Sequence, residues 1–317
     1  MSEHNALLDL ALIEDIPGLE SLGLPAADLA RLIRIALDED LGGGVDVTSL
    51  ATIPASSVGS AAAVPRSAGV VAGIPVAAAV FRLSSEGRVD VELTMSDGQA
   101  VAPGDVLLVA TGPVRDVLTA ERTALNLLCH LSGVASLTRR WVDAVAGTGA
   151  AIRDTRKTMP GLRLLEKYAV RCGGGVNHRL GLWDAALVKD NHVAAAGGVR
   201  AAFEAVRRAD PDITLEIEVD TIEQAQEAID AGAQLILLDN MDPATMRAAV
   251  ALAAGAERSG QPGRAVRLEA SGGLRLENAR EVAATGVDYL SVGALTHSAP
   301  VLDIGLDLQV LATSERS

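Results

Sequence analysis

The stretch TLEIEVDTIEQAQEAIDAGAQLILLDN, residues 214–240, passes through two physical regimes and back. Its ends, TLEIEVD (214–220) and QLILLDN (234–240), are short apolar runs, the pattern of buried strands. Between them, IEQAQEAIDAG (222–232) repeats apolar residues at helical spacing and stops at Gly232. Apolar strands joined by a helix predict a parallel pair with a crossover. The unit recurs on both sides: AAIRDT (150–155), AALVKDN (185–191), VRLEASGG (266–273) and VDYLSVG (287–293), with LENAREVAATG (276–286) as another Gly-closed helix. Six such units at 20–35-residue spacing predict a complete or incomplete α/β barrel. No GxGxxG or GxxxxGK[ST] follows any strand, which speaks against a dinucleotide or P-loop sheet. GQPGRAV (260–266) precedes a strand and reads as a loop.

The region before the barrel is different. Residues 26–40 read as an amphipathic helix with Leu29, Leu32, Ile33, Ala36 and Leu37 apolar, ended by the glycines at 42–44. From about 58 to 110 the pattern is of short Val-rich strands broken by Gly and Pro, including VDVEL (89–93) and DVLLVA (105–110). DGQAVAPGDVL (97–107) is similar to a unit of biotinyl and lipoyl carriers, but no lysine precedes Lys157, so a β-rich packing layer is expected. Residues 114–128 and 134–146 read as two helices separated at Ser132-Gly133.

The chain has 317 residues, is 49% apolar and carries a net charge of −14, which suits a globular protein. The acidic balance argues against nucleic acid and an anionic membrane surface as partners. Charge is partitioned, however. Residues 153–189 hold eight cations against three carboxylates, +5, leaving −19 elsewhere, and all three lysines (Lys157, Lys167, Lys189) fall there. Cys129 and Cys172 are too few for a disulfide scaffold and have no metal-ligand spacing. The acidic start lacks the features of a signal peptide, and the longest uncharged run, Ser67 to Phe81, is too short to span a bilayer. A soluble protein of a reducing cytoplasm is expected. His4 reads as a solvated tail residue, and His130 as a helix-end core histidine.

Polar residues collect at the carboxyl ends of the barrel strands, where loops converge and active sites form. Early strands contribute cations: Arg156, Lys157, Lys189, with His178 and Arg179 from CGGGVNHR (172–179). Middle strands contribute Glu218 and Asp239. Late strands contribute Ser271-Gly272-Gly273 and Gly293-Ala294, short side chains that leave backbone N–H groups for a phosphate. In order, this is an anion clamp, a hydroxyl or metal site and a phosphate cradle. A substrate to match carries carboxylates or a pyrophosphate, sugar hydroxyls and a terminal phosphate. Two assignments stay open. Lys189 could instead be a Schiff-base lysine, and Glu216, on the same strand face as Glu218, could be structural.

At these residues a resemblance becomes visible. ERTALNLLCHLSGVAS (121–136), DTRKTMPGLRLLEKYAVRCGGGVNHRLGL (154–182), LVKDNH (187–192), EIEVD (216–220), LLDNM (237–241), LEASGG (268–273) and VDYLSVGALTHS (287–298) closely resemble quinolinate phosphoribosyltransferase, in order from about residue 25 to 308. The resemblance implies an N-terminal open-faced α/β domain over residues 1–126, joined by 296–317, and an incomplete α/β barrel over 127–295. It implies transfer of phosphoribose from phosphoribosyl pyrophosphate to quinolinate, giving nicotinate mononucleotide, carbon dioxide and pyrophosphate in NAD biosynthesis. It also implies a homodimer in which Arg122 reaches the partner's site.

Carried onto this chain, Arg156, His178, Arg179 and Lys189 would hold the quinolinate carboxylates, with Thr155 and Lys157 beside them. Glu218 and Asp239 would bind ribose hydroxyls and Mg²⁺, the cofactor implied. Ser271, Gly272, Gly273 and Gly293 would take the 5′-phosphate, and His297 would face phosphate or pyrophosphate. Lys157, Glu218 and Asp239 would do the chemistry, Lys157 by offsetting leaving-group charge. Two other readings use the same rim: a related phosphoribosyltransferase for another ring acid, and a barrel lyase depending on Lys189. A binding module without catalysis would leave the rim's polarity without a purpose.

Overall fold

The computed structural model describes residues 10–258 and 266–311. His4 and residues 260–265 of the expected loop lie outside that range. The chain divides into two compact units: Met1–Leu137 with Met159–Gly174 and Ser298–Ser317, and Thr138–Thr158 with Gly175–His297. The family resemblance implies cuts at 126/127 and 295/296, and the corresponding boundaries lie at 137/138 and 297/298. Among the described residues no helix is long and apolar enough to cross a membrane.

The first unit is built on an antiparallel sheet. Its strands are β1 (Val58–Pro65), β2 (Gly69–Val70), β3 (Asp90–Leu93), β4 (Ala100–Val101) and β5 (Leu108–Pro113), with β12 (Ile304–Val310) from late in the chain. Four of them order as β12-β1-β5-β3, and β2 pairs with β4. In β1 the residues facing the core are small, with Ala61 and Ala63 fully buried, so helices can approach the sheet closely. The expected helix is present as Ala26–Leu41, burying Leu29, Ala30, Ile33 and Leu37 and ending on Gly42 in the left-handed region (φ 59).

Two expectations for this unit are corrected. Residues 58–110 are not all strand, because Ile74–Ser84 is a helix with nine buried residues. Its interior is apolar all round, so no helical stripe marked it in the sequence. The Asp97 carboxylate accepts from the N–H groups of Gly73 and Ile74 at 2.8 and 3.0 Å, satisfying donors at its start. Residues 114–144 are likewise one helix, Val114–Ala144. Ser132 does not break it, since its hydroxyl exchanges hydrogen bonds with the backbone of Ala72. Gly133 is there for close approach: a Cβ on it would stand 2.2 Å from the Pro300 carbonyl oxygen.

The second unit holds the six expected strands, β6 (Ala151–Arg153), β7 (Ala185–Val188), β8 (Thr214–Val219), β9 (Leu235–Asp239), β10 (Arg267–Ser271) and β11 (Tyr289–Ser291). All pair in parallel in the order β6-β11-β10-β9-β8-β7. Helices Val199–Ala209, Ile222–Ala231 and Pro243–Arg258 connect consecutive strands. Buried Leu215, Ile217, Val219, Ile236 and Leu238 supply the strand faces that such helices cover. β6 and β7 end the hydrogen-bonded order, so among the described residues the barrel is incomplete.

Candidate active site

Alternation along each strand sends every second side chain to the same face. On β8 these are Thr214, Glu216 and Glu218, and on β10 Arg267, Glu269 and Ser271. The ladder sets Ser271 opposite Asp239, and Leu237 opposite both Glu218 and Glu269. Residues at or just beyond the ends of all six strands then wall one cavity of about 340 Å³: Thr155, Arg156, Lys157, Leu187, Lys189, Glu218, Leu237, Asp239, Glu269, Ser271 and Ser291, with His178 and Arg179 from the loop before β7. A sheet whose two outermost strands face a common cavity is curled, as a barrel requires.

The cavity's charges are arranged in two groups. Arg156 and Arg179 repel each other, and burial together with that repulsion lowers the Arg179 pKa. Arg156 Nε is buried and meets no acceptor. Both observations describe a place prepared for an anion. The Arg179 guanidinium is fixed by donating to the Ala185 carbonyl at 3.1 Å. On the other side Lys189 Nζ donates to Glu218 Oε2 at 2.8 Å, and Asn240 Nδ2 donates to Asp239 Oδ2 at 2.8 Å. Burial, and then the negative charge of Glu218, push the Asp239 carboxyl up. This pair is a place prepared for a cation.

Glycines adjoin the cavity next to Ser271 and Lys157. Gly272 and Gly273 are left-handed (φ 84 and 62), and their N–H groups meet no acceptor among the described residues. A Cβ on Gly272 would fall 2.2 Å from Asn240 Oδ1, so that amide occupies the missing side chain's place. Asn240 is itself left-handed (φ 51) and donates its N–H to the Ser271 carbonyl. A Cβ on Gly293 would meet Lys157 Cδ at 2.9 Å and His297 Nε2 at 3.2 Å. Lys157 is anchored at its backbone, donating to Thr155 Oγ1 (3.0 Å) and accepting from Thr296 Oγ1 (2.7 Å).

At the floor of the cavity, His178, Glu216 and Glu269 are buried together, with potential ligand atoms within 4.8 Å of one another. His178 Nε2 lies 2.9 Å from Glu216 Oε2 and 3.6 Å from Glu269 Oε1, and Arg153 pairs with Glu269 Oε2. Burial pushes the Glu216 carboxyl up to about 7, against the pull of Arg153 and Arg179. The cluster does not suit a metal. His178 Nδ1 accepts the Arg179 N–H at 2.7 Å, so the neutral ring's proton sits on Nε2 and leaves no lone pair there for an ion. Glu218 and Asp239 do suit one. Each keeps a second oxygen, and two hard carboxylates that repel each other match what Mg²⁺ takes beside substrate oxygens.

Every sequence-selected residue from Thr155 to Ser271 that carries a side chain lines this cavity. Gly272, Gly273, Gly293 and His297 stand beside its wall. Arg122 is elsewhere: it lies on the long helix of the first unit, exposed, in a different cavity with Glu39, Asp40 and Asn126. The basic stretch 153–189 is split, since Arg163, Lys167 and Arg171 belong to the first unit and Arg153 is tied to Glu269. Four of its eight cations reach the cavity. His130 is half-buried in the middle of the long helix and not at a helix end, and it pairs with buried Glu166 at 2.8 Å. Asn240 and Ser291 were legible as strand-end polar residues but were given no role, and Arg153 and Glu269 were missed. Asn240 carried a signal, an Asn directly after a strand where a left-handed turn is needed.

An incomplete α/β barrel whose rim pairs an anion clamp with a carboxylate pair and open glycine N–H groups defines an enzyme for a multiply anionic substrate. Residues 134–307 match the C-terminal domain, and residues 46–132 the N-terminal domain, of quinolinate phosphoribosyl transferase. A Mycobacterium leprae protein named nicotinate-nucleotide pyrophosphorylase (carboxylating) is 54% identical over 285 residues, 89% of this chain and 98% of that one. A Bacillus subtilis protein named probable nicotinate-nucleotide pyrophosphorylase (carboxylating) is 41% identical, over 88% of this chain and 93% of its own. The crystal structure of NadC from Streptococcus pyogenes superposes with a TM-score of 0.84 at 38% identity, covering 91% of this chain and 99% of that one. The nicotinate-nucleotide pyrophosphorylase structure from Francisella tularensis gives 0.83 at 35%, covering 90% and 98%. The chain belongs to the quinolinate phosphoribosyltransferase family.

Proposed function

We propose that this cavity transfers phosphoribose from phosphoribosyl pyrophosphate to quinolinate with decarboxylation, giving nicotinate mononucleotide, carbon dioxide and pyrophosphate for NAD biosynthesis. The observation that carries the assignment is the pairing, in one cavity, of a buried Arg156 Nε without an acceptor and the mutually repelling carboxylates Glu218 and Asp239. Arg156 and Arg179 take the quinolinate carboxylates, since a guanidinium offers two parallel donors to a carboxylate. Thr155, His178 and Lys189 stand beside them. Glu218 and Asp239 orient the ribose hydroxyls. Ser271, Gly272, Gly273 and Gly293 receive the 5′-phosphate through N–H groups, with His297 alongside. Lys157 offsets the charge that grows on the departing pyrophosphate, an electrostatic contribution.

Glu218 and Asp239 would hold Mg²⁺, which when bound supplies further neutralisation of pyrophosphate oxygens. Arg122 acts in the site of a second copy, so the working form is a homodimer. The two free thiols and the acidic surface suit the cytoplasm. The Lys189–Glu218 pair speaks against a Schiff-base lyase, which needs an uncharged amine. The test is to mix purified protein with quinolinate, phosphoribosyl pyrophosphate and Mg²⁺ and assay nicotinate mononucleotide. Product formed from nicotinic acid and not from quinolinate would assign the site to another ring acid, and a borohydride-trapped adduct would assign it to the lyase.

A further inference from the structure

Barrel interiors are usually layers of aliphatic side chains. Here the floor of the cavity and the layer under it contain Glu269 and His178 with Arg153 and Glu216, and the two glutamates are almost fully buried (Glu216 2% and Glu269 0% exposed). Taking such groups out of water is costly, and an ion pair there seldom recovers the cost through stability alone. The arrangement has a direction. Arg153 holds Glu269, and Glu216 and Glu269 both face His178 Nε2. On the far side of the ring, Nδ1 accepts the Arg179 N–H at 2.7 Å. Asp154, fully buried, accepts the His178 N–H at 2.8 Å and the Asn177 amide at 2.6 Å, so the backbone at the ring is pinned from behind.

A neutral imidazole with an acceptor at Nδ1 must donate at Nε2. Glu216 Oε2, at 2.9 Å, is the acceptor of that bond, and Glu269 Oε1, at 3.6 Å, is too far to accept and adds only its charge beside the ring. Reversal of the ring would place an N–H against the Arg179 N–H and a lone pair against two carboxyls. The glutamates therefore select one tautomer, and the tautomer determines which backbone N–H the ring can accept.

We propose that Glu216 and Glu269 are positioning residues for the carboxylate clamp: Glu216 by its hydrogen bond and Glu269 by its charge hold His178 as its Nε2–H tautomer, and His178 Nδ1 in turn fixes the Arg179 backbone that carries the guanidinium to the cavity wall. The proposal deepens the function proposed above and rests on it for its kinetic arm alone. Arg153 keeps Glu269 turned toward the ring. Support of this kind, behind the groups that touch substrate, is how a clamp keeps its aim before substrate arrives.

Two measurements on the full chain test it. Long-range ¹⁵N NMR at neutral pH, with His178 assigned by its loss in His178→Gln, should show a protonated Nε2 and an unprotonated Nδ1. A ring protonated at Nδ1, alone or together with Nε2, overturns the proposal whatever the enzyme's substrate. In kinetics, Glu269→Gln should raise the quinolinate KM by roughly tenfold, as loss of a supporting group commonly does. The phosphoribosyl pyrophosphate KM should stay within about twofold. Arg153→Met/Glu269→Met, which removes both charges, should regain thermal stability without regaining the quinolinate KM. Recovery of that KM in the double variant, or an equal rise of both KM values in Glu269→Gln, would reduce the cluster to a stability element. Wild-type protein that makes no product from quinolinate refutes the function instead, and the NMR result still decides the tautomer.

Discussion

Lys157 occupies the side-chain space that Gly293 leaves vacant: its Cδ lies 2.9 Å from where a Cβ on Gly293 would stand. The glycine is thus needed for the lysine's path as well as for its own N–H. Gly293→Ala should fold normally, because the displaced atoms belong to flexible side chains, yet lose at least about tenfold in kcat as Lys157 is pushed aside. Lys157→Ala should lose roughly a hundredfold or more, the scale for removing one preorganised charge-stabilising group. Steady-state assays beside circular dichroism check both, and a fully active Gly293→Ala would show that the lysine works from another position.

Arg122 lies outside the cavity of its own chain's second unit and is exposed on the first. Arg122→Ala and Lys157→Ala should each be inactive as homodimers. After subunit exchange of equal amounts, roughly a quarter of wild-type activity should return, since half the dimers are mixed and each keeps one intact site. No recovery after verified exchange would place Arg122 outside any shared site.

Asp46 begins the helix Val47–Thr52, its Oδ1 accepting the Ser49 N–H at 3.0 Å. Hydrogen bonds from Ser49 hold its pKa below the usual 3.8. A folded pKa below the unfolded one means the stabilisation is present above pH 3.8 and is lost as pH falls through the folded value. Asp46→Ala should cost about 1 kcal/mol at neutral pH. Urea titrations should show that difference shrinking in acid.

Burial first, and then the charge of Asp97, push the Cys172 thiol up to about 12. Burial pushes Cys129 up as well. At pH 8 only about one Cys172 in ten thousand is thiolate, so the folded protein should resist a thiol reagent that labels it at once in denaturant. Rapid labelling of both cysteines in the native state would contradict this burial.

Gly133 admits the Pro300 carbonyl where a methyl group would stand. Gly133→Ala sets backbone against backbone and should destabilise the first unit by about 3 kcal/mol. Thermal denaturation measures it, and a wild-type midpoint would mean that the 298–302 segment can shift freely.

The barrel was legible because each strand announced itself twice, by an apolar run and by the polar residue that closes it, as in LLDN and LEASGG. The rim followed from the same pattern, and all the strand-end side chains chosen for chemistry do meet in one cavity. What stayed hidden depends on contacts between residues distant in sequence. Ser132-Gly133 carries the local signal of a break, and only Ala72 and Pro300 turn it into a helix interior. Residues 74–81 of the helix Ile74–Ser84 are all apolar, so periodicity had nothing to register. Glu269 sits in LEASGG like an ordinary strand residue, and its pairing with Arg153 spans 116 positions.

The pairing of β1 with β12, from Gly59↔Val310 to Pro65↔Ile304, has a consequence for synthesis. When β1 leaves the ribosome, the strand that completes its sheet is still untranslated. At common elongation rates the interval is roughly 10–50 s. For that time one edge of β1 stands open while the later strands are made and pair among themselves. An unpaired edge of this kind invites intermolecular pairing. The nascent chain is therefore most exposed to aggregation at its earliest strand, and termination anywhere before residue 304 would make that exposure permanent.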